Sequence, residues 1–176
     1  MRRKLDQYYT PSLAVRQFLD SLDFGLSGVI LEPCNGEGAI SKELVNRGYK
    51  VITNDLDSDN KADTHFDLAV PLNWMLIEDV DFIITNPPFN LASEIISLAH
   101  QKAKRGVIAL LRLSFIEPCL NRSEFLTINP PNQMIVTPRI SFTGKGTDNI
   151  TTAWFIWLKD EDLRASIKQP IRVLSK

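Results

Sequence analysis

One stretch of this 176-residue chain is more informative than any other, Asp81-Phe82-Ile83-Ile84-Thr85-Asn86-Pro87-Pro88-Phe89. The four apolar or β-branched residues at 82–85 predict a buried strand. Two prolines follow, and because neither has an N–H to donate to a neighbouring strand, the strand has to end there. An amide side chain, a rigid dipeptide and an aromatic ring therefore lie at the carboxyl end of a strand, which is the edge where open α/β sheets place ligands.

This arrangement suits a planar group that carries an exocyclic NH₂. The side-chain oxygen of Asn86 and the carbonyl of Pro87 are two acceptors in a fixed relation, and Phe89 adds a flat apolar face. The acceptors would hold both amino hydrogens and favour the positive charge that develops when the nitrogen attacks an electrophilic carbon. The alternative is a strand that ends in an ordinary proline turn.

A first βα unit precedes this segment. A short apolar strand near 29–32 leads into Glu32-Pro33-Cys34-Asn35-Gly36-Glu37-Gly38, and a helical pattern follows near 38–47. Glycines at such a turn let a ligand approach the backbone closely, although the three-glycine dinucleotide fingerprint is incomplete. A second strand near 50–54 ends at Asp55, whose carboxylate can accept both ribose hydroxyls of a nucleoside. A solvated acidic turn is the alternative there.

Taken in order, these motifs resemble the Rossmann-like S-adenosylmethionine-dependent amino-methyltransferases with an (Asn/Asp/Ser)-Pro-Pro-(Tyr/Phe/Trp) signature. The resemblance covers about residues 6–158 and includes Gln7-Tyr8-Tyr9-Thr10-Pro11, which is similar to the family's amino-terminal cofactor motif. Segments 110–115 and 141–148 are similar to small phage or prophage DNA N6-adenine methyltransferases. The resemblance implies an enzyme that transfers a methyl group from S-adenosylmethionine to an exocyclic amino nitrogen, N6 of adenine in DNA.

The resemblance also implies a set of site residues. The catalytic residues would be Asn86, Pro87, Pro88 and Phe89. The residues implied to bind the cofactor are Tyr8, Tyr9 and Thr10 at its methionine part, Glu32, Cys34, Gly36 and Gly38 near its sulfonium and amino groups, Asp55 at its ribose, and Asp67 and Leu68 at its adenine. Asp57, two residues after Asp55, is the alternative ribose ligand, and Glu32 could instead bond backbone N–H groups of the turn.

On the substrate side, a duplex base would have to leave the helix and be held between two walls. Phe142 is the candidate for the second wall, with Phe115 in reserve. The net charge is −1 and the isoelectric point is near 6.1, so any phosphate contacts have to be local, and Arg112 and Lys145 are the candidates. Segments 113–132 and 141–149 are predicted to choose the substrate.

Several alternatives remain open at this stage. No large target-recognition domain is predicted, which favours a short recognition sequence, a partner subunit that supplies specificity, or a different substrate. The same four residues suit adenine or guanine amino groups of RNA and the glutamine amide of a protein. A non-catalytic partner subunit that binds cofactor or nucleic acid is a further possibility.

Composition agrees with one α/β domain over residues 1–176, with 44% hydrophobic and 23% charged residues. The predicted sheet is mostly parallel and seven-stranded, with an antiparallel edge hairpin and helices on both faces. Its strands are near 29–32, 50–54, 63–66, 80–85, 107–111, 133–138 and 151–158, and its later helices are near 71–78 and 91–104. The role of residues 160–176 and the oligomeric state are left open.

Localisation and metal content follow from what the sequence lacks. There is no apolar run of bilayer length and no signal-peptide core, so a cytoplasmic protein of a bacterial or phage-infected cell, without membrane contact, is predicted. The two cysteines, Cys34 and Cys119, and the two histidines, His65 and His100, lack the spacing of metal ligands. No metal site is therefore predicted.

Overall fold

The computed structural model describes residues 10–119, 122–138 and 150–175. In these ranges a seven-stranded sheet has the spatial order β2-β1-β3-β4-β6-β5-β7. The strands are β1 (Val29–Glu32), β2 (Lys50–Thr53), β3 (Phe82–Thr85), β4 (Gly106–Arg112), β5 (Gln133–Val136), β6 (Thr152–Leu158) and β7 (Ile171–Val173). Of these seven strands, β6 runs antiparallel to its neighbours β4 and β5, and the other pairs are parallel.

Helices connect the strands. The α-helices of the described residues are α1 (Ser12–Asp20), α2 (Ala39–Asn46), α3 (Ala92–Lys102), α4 (Ser123–Ile128) and α5 (Glu161–Ala165), and shorter 3₁₀ segments span Pro71–Leu76, Phe89–Leu91 and Leu113–Ile116. None of the helices in the described ranges is long and apolar enough to cross a bilayer.

Both faces of the sheet are covered. In β3, Phe82 and Ile84 belong to the core that includes residues of α1 and α2, whereas Ile83 belongs to the core that includes residues of α3. All four residues of β3 are buried, which is why this strand is a continuous apolar run and not an alternating one. The predicted fold class, a mostly parallel seven-stranded sheet with helices on both faces, is confirmed.

Two predicted elements are wrong. The segment near 63–66 is not a strand but makes a single bridge between Asn54 and Thr64. The side-chain oxygen of Asn54 accepts from the Thr64 hydroxyl at 2.9 Å and from the Phe66 N–H at 2.8 Å, so a side chain holds the segment where a ladder was expected. The helix predicted near 71–78 is the 3₁₀ segment Pro71–Leu76.

The carboxyl-terminal part of the described chain, to which the sequence assigned no role, extends the sheet. After α5 it forms β7, which pairs in parallel with β5 through Met134–Ile171 and Val136–Val173. The predicted antiparallel hairpin is present as β5 and β6, and β7 is the outermost strand on its side.

Candidate functional site

The four residues from Asn86 to Phe89 connect β3 to α3. Asn86 directly follows Thr85, the last residue of β3, and Phe89 begins the 3₁₀ turn that leads into α3 at Ala92. The N–H of Leu91 donates to the carbonyl of Pro88 at 2.9 Å, so the carbonyl that closes this turn is not that of Pro87. Because β1, β3 and β4 are parallel neighbours, the segments that follow each of them meet at one edge of the sheet.

Asn86 contacts Thr10, two residues before the start of α1. Its side-chain nitrogen donates to the hydroxyl of Thr10 at 2.9 Å. Thr10 is buried and Asn86 is half-buried. Both residues line a cavity of about 40 Å³ together with the turn after β1, and the full lining is Thr10, Cys34, Asn35, Gly36, Glu37, Ala39, Ile40 and Asn86. The predicted cofactor turn and the predicted catalytic amide therefore share one space.

Arg112 contacts the ring of Phe89, the predicted catalytic aromatic residue. Arg112 is the last residue of β4, and its guanidinium carbon lies 4.5 Å from the centre of the Phe89 ring. This distance is that of a cation–π contact. Both residues line a cavity of about 230 Å³, whose full lining is Phe89, Asn90, Ala92, Leu111, Arg112, Ser114, Phe115 and Arg122.

Phe115, the reserve candidate for the second wall, is part of the core. It is buried, and its ring meets the rings of Phe155 and Trp157 edge-on, with centroids 5.8 and 6.4 Å away. Arg122 lies over the Phe115 ring at 5.2 Å and donates to the carbonyl of Ser114 at 3.0 Å. This packing holds Phe115 in place, so ordinary core packing accounts for the residue.

The turn after β1 has the backbone that a close ligand contact requires. Gly36 and Gly38 have φ angles of 51° and 78°, a left-handed conformation that favours glycine. A Cβ atom added to Gly38 would lie 3.2 Å from the Ser41 hydroxyl oxygen. A side chain at Gly38 would therefore be both strained and crowded, which explains why glycine is needed at this position of the turn.

Glu32 and Thr85 end the neighbouring strands β1 and β3, and both are buried. One carboxylate oxygen of Glu32 accepts from the N–H of Cys34 at 3.2 Å. Within the described part of the chain, its other oxygen and the Thr85 hydroxyl have no hydrogen-bond partner. Burial raises the pKa of Glu32 well above its usual value, and a buried carboxyl oxygen without a hydrogen-bond partner is costly unless a ligand satisfies it.

The environment of Cys34 disfavours its thiolate form. Burial, and next the nearby carboxylate of Glu32, raise the pKa of its thiol. The thiol therefore stays protonated at neutral pH, whereas nucleophilic attack requires the thiolate. This agrees with a cysteine that is simply a small residue of the cofactor turn.

The carboxylate of Asp55 is bound within the protein. It is buried and accepts from the N–H of Gly36 at 2.6 Å, the N–H of Asp57 at 2.9 Å and the side-chain nitrogen of Asn60 at 3.1 Å. Asp55 thus ties the end of β2 to the turn after β1. Asp57 is half-buried, and one of its oxygens accepts from the N–H of Asp59 at 3.1 Å.

The two predicted adenine-side residues differ in exposure. Asp67 is half-buried and accepts from the N–H of Ala69 at 3.0 Å. Leu68 is buried in the core on the α3 side of the sheet, and its carbonyl accepts from the indole N–H of Trp74 at 2.9 Å. The side chain of Leu68 is therefore a packing group, which leaves Asp67 as the more accessible of the two.

Some predicted residues lie outside the described ranges. They are Tyr8, Tyr9, Phe142 and Lys145, together with the whole of the segment 141–149. Elsewhere in the chain, within residues 10–119, 122–138 and 150–175, there is no cluster of three or more His, Cys, Asp or Glu residues that could hold a metal ion.

Comparisons with known proteins bear on the fold. No protein-family model matches the chain. No curated protein matches its sequence. Solved structures do match. One is a modification subunit assigned to a type I restriction enzyme of Vibrio vulnificus YJ016, with 16% identity, 90% of this chain and 46% of that chain covered, and a TM-score of 0.63. A protein assigned as a class I S-adenosylmethionine-dependent methyltransferase of Listeria monocytogenes has 16% identity, 100% of this chain and 68% of that chain covered, and a TM-score of 0.65, and a protein assigned as an RNA methyltransferase of Pyrococcus horikoshii has 18% identity, 88% of each chain covered, and a TM-score of 0.62. This is the methyltransferase fold.

At these identities the likeness concerns the methyltransferase fold alone. This chain also spans less than half the length of the Vibrio vulnificus subunit. The site itself therefore has to be argued from the residues of this chain.

Sequence reasoning missed three contacts of this site. They are the bond from Asn86 to Thr10, the bond from Gly36 to Asp55 and the stacking of Arg112 on Phe89. The sequence did contain a signal for the last one, because consecutive parallel strands tend to be neighbours and Arg112 ends the strand after β3. No sequence signal pointed to the other two.

Proposed function

We propose that this protein is an S-adenosylmethionine-dependent N-methyltransferase and that it methylates N6 of adenine in DNA. The observation that carries the proposal is the position of Asn86-Pro87-Pro88-Phe89. This segment follows β3, borders the cavity of the glycine turn through Asn86, and contacts Arg112 through Phe89. A cofactor side and a cationic substrate side therefore meet at one short segment.

The residues of the cofactor side fit S-adenosylmethionine. Glu32 has a buried carboxylate oxygen that lacks a partner among the described residues, and the amino group of the cofactor would satisfy it directly or through water. Gly36 lines the cavity of about 40 Å³, and its backbone and that of Gly38 would face the sulfonium region. The further residues that would hold the cofactor are Tyr8, Tyr9, Thr10, Cys34, Asp55, Asp67 and Leu68. When bound, the cofactor supplies an electrophilic methyl group on a sulfonium.

The catalytic segment would bind the amino group to be methylated. The side-chain oxygen of Asn86 and the carbonyl of Pro87 accept its two hydrogens, which orients the nitrogen lone pair and stabilises positive charge on the nitrogen. Phe89 stacks the ring of the target base, and Pro88 keeps the segment rigid. Phe142 would form the second wall of the pocket.

DNA is the proposed substrate because the space beside Phe89 is cationic. Arg112 and Arg122 both line the cavity of about 230 Å³, and among the described residues its lining contains no carboxylate. Lys145 would add a further phosphate contact. The similarity in fold to a restriction-enzyme modification subunit supports this substrate, and it supports a partner subunit that supplies sequence specificity.

RNA is the second candidate substrate. The match to the structure assigned as an RNA methyltransferase of Pyrococcus horikoshii covers 88% of this chain and 88% of that one. An adenine N6 or guanine N2 amino group of RNA presents the same two hydrogens to Asn86 and Pro87. A protein glutamine amide does so too, but it has no phosphate for Arg112.

Incubation with radiolabelled S-adenosylmethionine and separate pools of DNA, RNA and cell protein tests the proposal. We expect label in DNA, recovered as N6-methyladenine after nucleoside analysis. Label in RNA or in glutamine would reassign the substrate. Binding of cofactor without transfer to any pool would favour a non-catalytic subunit.

A further inference from the structure

Thr10 and Asn86 are 76 positions apart in sequence and are joined by a hydrogen bond of 2.9 Å from the Asn86 amide nitrogen to the Thr10 hydroxyl. Thr10 is only 8% exposed. The bond links the segment before α1 to the first residue after β3. A link over this distance in sequence fixes where Thr10 lies relative to Asn86.

Helix capping does not explain the Thr10 hydroxyl. Threonine before a helix commonly caps it by accepting from a backbone N–H of the first turn. Here the N-cap position of α1 is Pro11, and no side chain makes a capping hydrogen bond. The hydroxyl is directed instead at Asn86 and at the cavity that both residues line.

The direction of the hydrogen bond between Asn86 and Thr10 determines which atom of the Asn86 amide can face a substrate. An amide nitrogen can only donate and an amide oxygen can only accept, whereas a hydroxyl does both. Thr10 could therefore hold Asn86 in either of two orientations, depending on where its own proton goes. If that proton is donated to an anion, Thr10 can only accept from Asn86. The amide nitrogen must then face Thr10, and the amide oxygen is presented to the target amino group.

We propose that Thr10 is a positioning residue that couples the carboxylate of the bound cofactor to the orientation of the Asn86 amide. This inference rests on the proposed function, because it takes S-adenosylmethionine as the source of the anion. The cavity of about 40 Å³ beside Thr10 and Asn86 is where the carboxylate would be received. With the cofactor bound, Thr10 would donate to the carboxylate and accept from the Asn86 nitrogen, so the Asn86 oxygen would be presented to the target amino group.

The first test separates the hydroxyl from the shape of the side chain. Thr10→Val keeps the shape and removes the hydroxyl, whereas Thr10→Ser keeps the hydroxyl. At saturating cofactor we expect single-turnover methylation to fall roughly 10- to 100-fold in Thr10→Val, as for loss of one oriented hydrogen bond. Thr10→Ser should stay within about threefold of wild type. A rate in Thr10→Val equal to wild type overturns the inference.

Thr137→Val is the matched control. Thr137 is also buried, at 6% exposure, and its hydroxyl donates to the carbonyl of Thr152 at 3.0 Å. Thr137 does not line either the cavity of about 40 Å³ or the cavity of about 230 Å³. We expect it to lower thermal stability without lowering the methylation rate. An equal loss of rate in both valine variants would make Thr10 merely structural and overturn the inference.

The second test does not use activity. In ¹⁵N-labelled protein, S-adenosylhomocysteine should shift the side-chain NH₂ signals of Asn86 and slow their exchange with solvent. The decarboxylated analogue should bind without this effect, and Thr10→Val should lose it. An identical response to both ligands, or in both proteins, overturns the coupling.

The two tests distinguish this inference from the proposed function. If wild type binds S-adenosylhomocysteine but methylates none of the three pools, the proposed methyl transfer fails, while the Asn86 signals still decide the coupling. If wild type does not bind S-adenosylhomocysteine, both fail. If wild type binds and methylates and Thr10→Val behaves identically, the coupling alone fails.

Discussion

Arg112 stacks on Phe89, with its guanidinium carbon 4.5 Å from the centre of the ring. The pair joins the last residue of β4 to the end of the catalytic segment after β3. A guanidinium is planar, and it can keep hydrogen-bond donors at its edge while its face rests on an aromatic ring. The phosphate contact that we propose for Arg112 would therefore lie next to the ring proposed to hold the base.

We expect Arg112→Ala to weaken binding of an adenine-containing DNA duplex and to reduce its dependence on salt. One lost phosphate contact should lower the slope of log K against log salt by about one unit. Affinity for S-adenosylhomocysteine should be unchanged, because Arg112 lines the substrate cavity and not the cofactor cavity. Duplex binding measured by fluorescence anisotropy over a salt series gives both slopes.

Arg164→Ala is the matched control for this prediction. Arg164 is on α5, and its partner Glu161 lies 3.9 Å away at the protein surface. α5 follows the end of β6, and that end pairs with the start of β4. Because Arg112 lies at the end of β4, α5 and Arg112 lie at opposite ends of this strand. The control should keep the wild-type slope, and parallel slopes for all three proteins would exclude a phosphate contact at Arg112.

Asn86→Ala should lose turnover and keep its cofactor. Loss of one hydrogen bond to the amino group at the reacting centre should cost about 2–4 kcal/mol of barrier, or on the order of 10²–10³ in single-turnover rate. Titration calorimetry should show an affinity for S-adenosylhomocysteine within several-fold of wild type. Asn129→Ala, at the end of α4, is the control amide. Normal methylation by Asn86→Ala would remove Asn86 from the catalytic set.

Glu32→Gln should change how stability depends on pH. Burial raises the pKa of Glu32 above its ordinary value of about 4.5. The folded protein then binds this proton more tightly than the unfolded chain, so the associated stability is fully present below pH 4.5 and is lost as pH rises through the folded-state pKa. Relative to Glu32→Gln, wild type should lose about 1.4 kcal/mol per pH unit in that window.

Glu43→Gln is a control in which the dependence of stability on pH should have the opposite direction. The hydrogen bond and charge of Arg16 lower the pKa of Glu43, and the two side chains approach to 2.9 Å. Its contribution is present above the ordinary pKa and is lost as pH falls through the folded-state value. Urea unfolding of the ligand-free proteins from about pH 2 to pH 8 measures both variants, because the window of Glu43 lies below its ordinary pKa and that of Glu32 above it. A Glu32→Gln difference that stays constant with pH would contradict a raised pKa.

The sequence predicted those strands whose signal is local. Residues 82–85 are apolar throughout and are ended by prolines, so β3 could be placed without knowledge of its neighbours. The strand β7 could not, because it has three residues, Ile171 and Val173 are exposed, and its pairing depends on the distant β5. The segment near 63–66 failed for a related reason, since the side chain of Asn54 bonds it and replaces the expected ladder.

In the candidate site, too, the sequence predicted the residues that have a local signal and missed the contacts that depend on distant parts of the chain. Asn86 and Phe89 were found because the prolines between them mark the end of a strand, and Glu32 because it ends the strand before a glycine turn. The contact of Asn86 with Thr10 depends on how α1 packs on the sheet. The three donors that surround Asp55 depend on the fold of the turn after β1. Neither arrangement has a pattern in the sequence.

Asp55 should therefore have two roles that can be separated by experiment. In Asp55→Ala the N–H of Gly36 and two further donors lose their acceptor, which should cost about 1–3 kcal/mol of stability per donor left buried without a partner. If Asp55 also binds the ribose, the preference for S-adenosylhomocysteine over its 2′-deoxy analogue should disappear in Asp55→Ala and persist in Asp57→Ala. Thermal unfolding without ligand reports the first role, and the ratio of the two dissociation constants reports the second. A preference lost in Asp57→Ala and kept in Asp55→Ala would transfer the ribose contact to Asp57 and leave Asp55 as the brace of the cofactor turn.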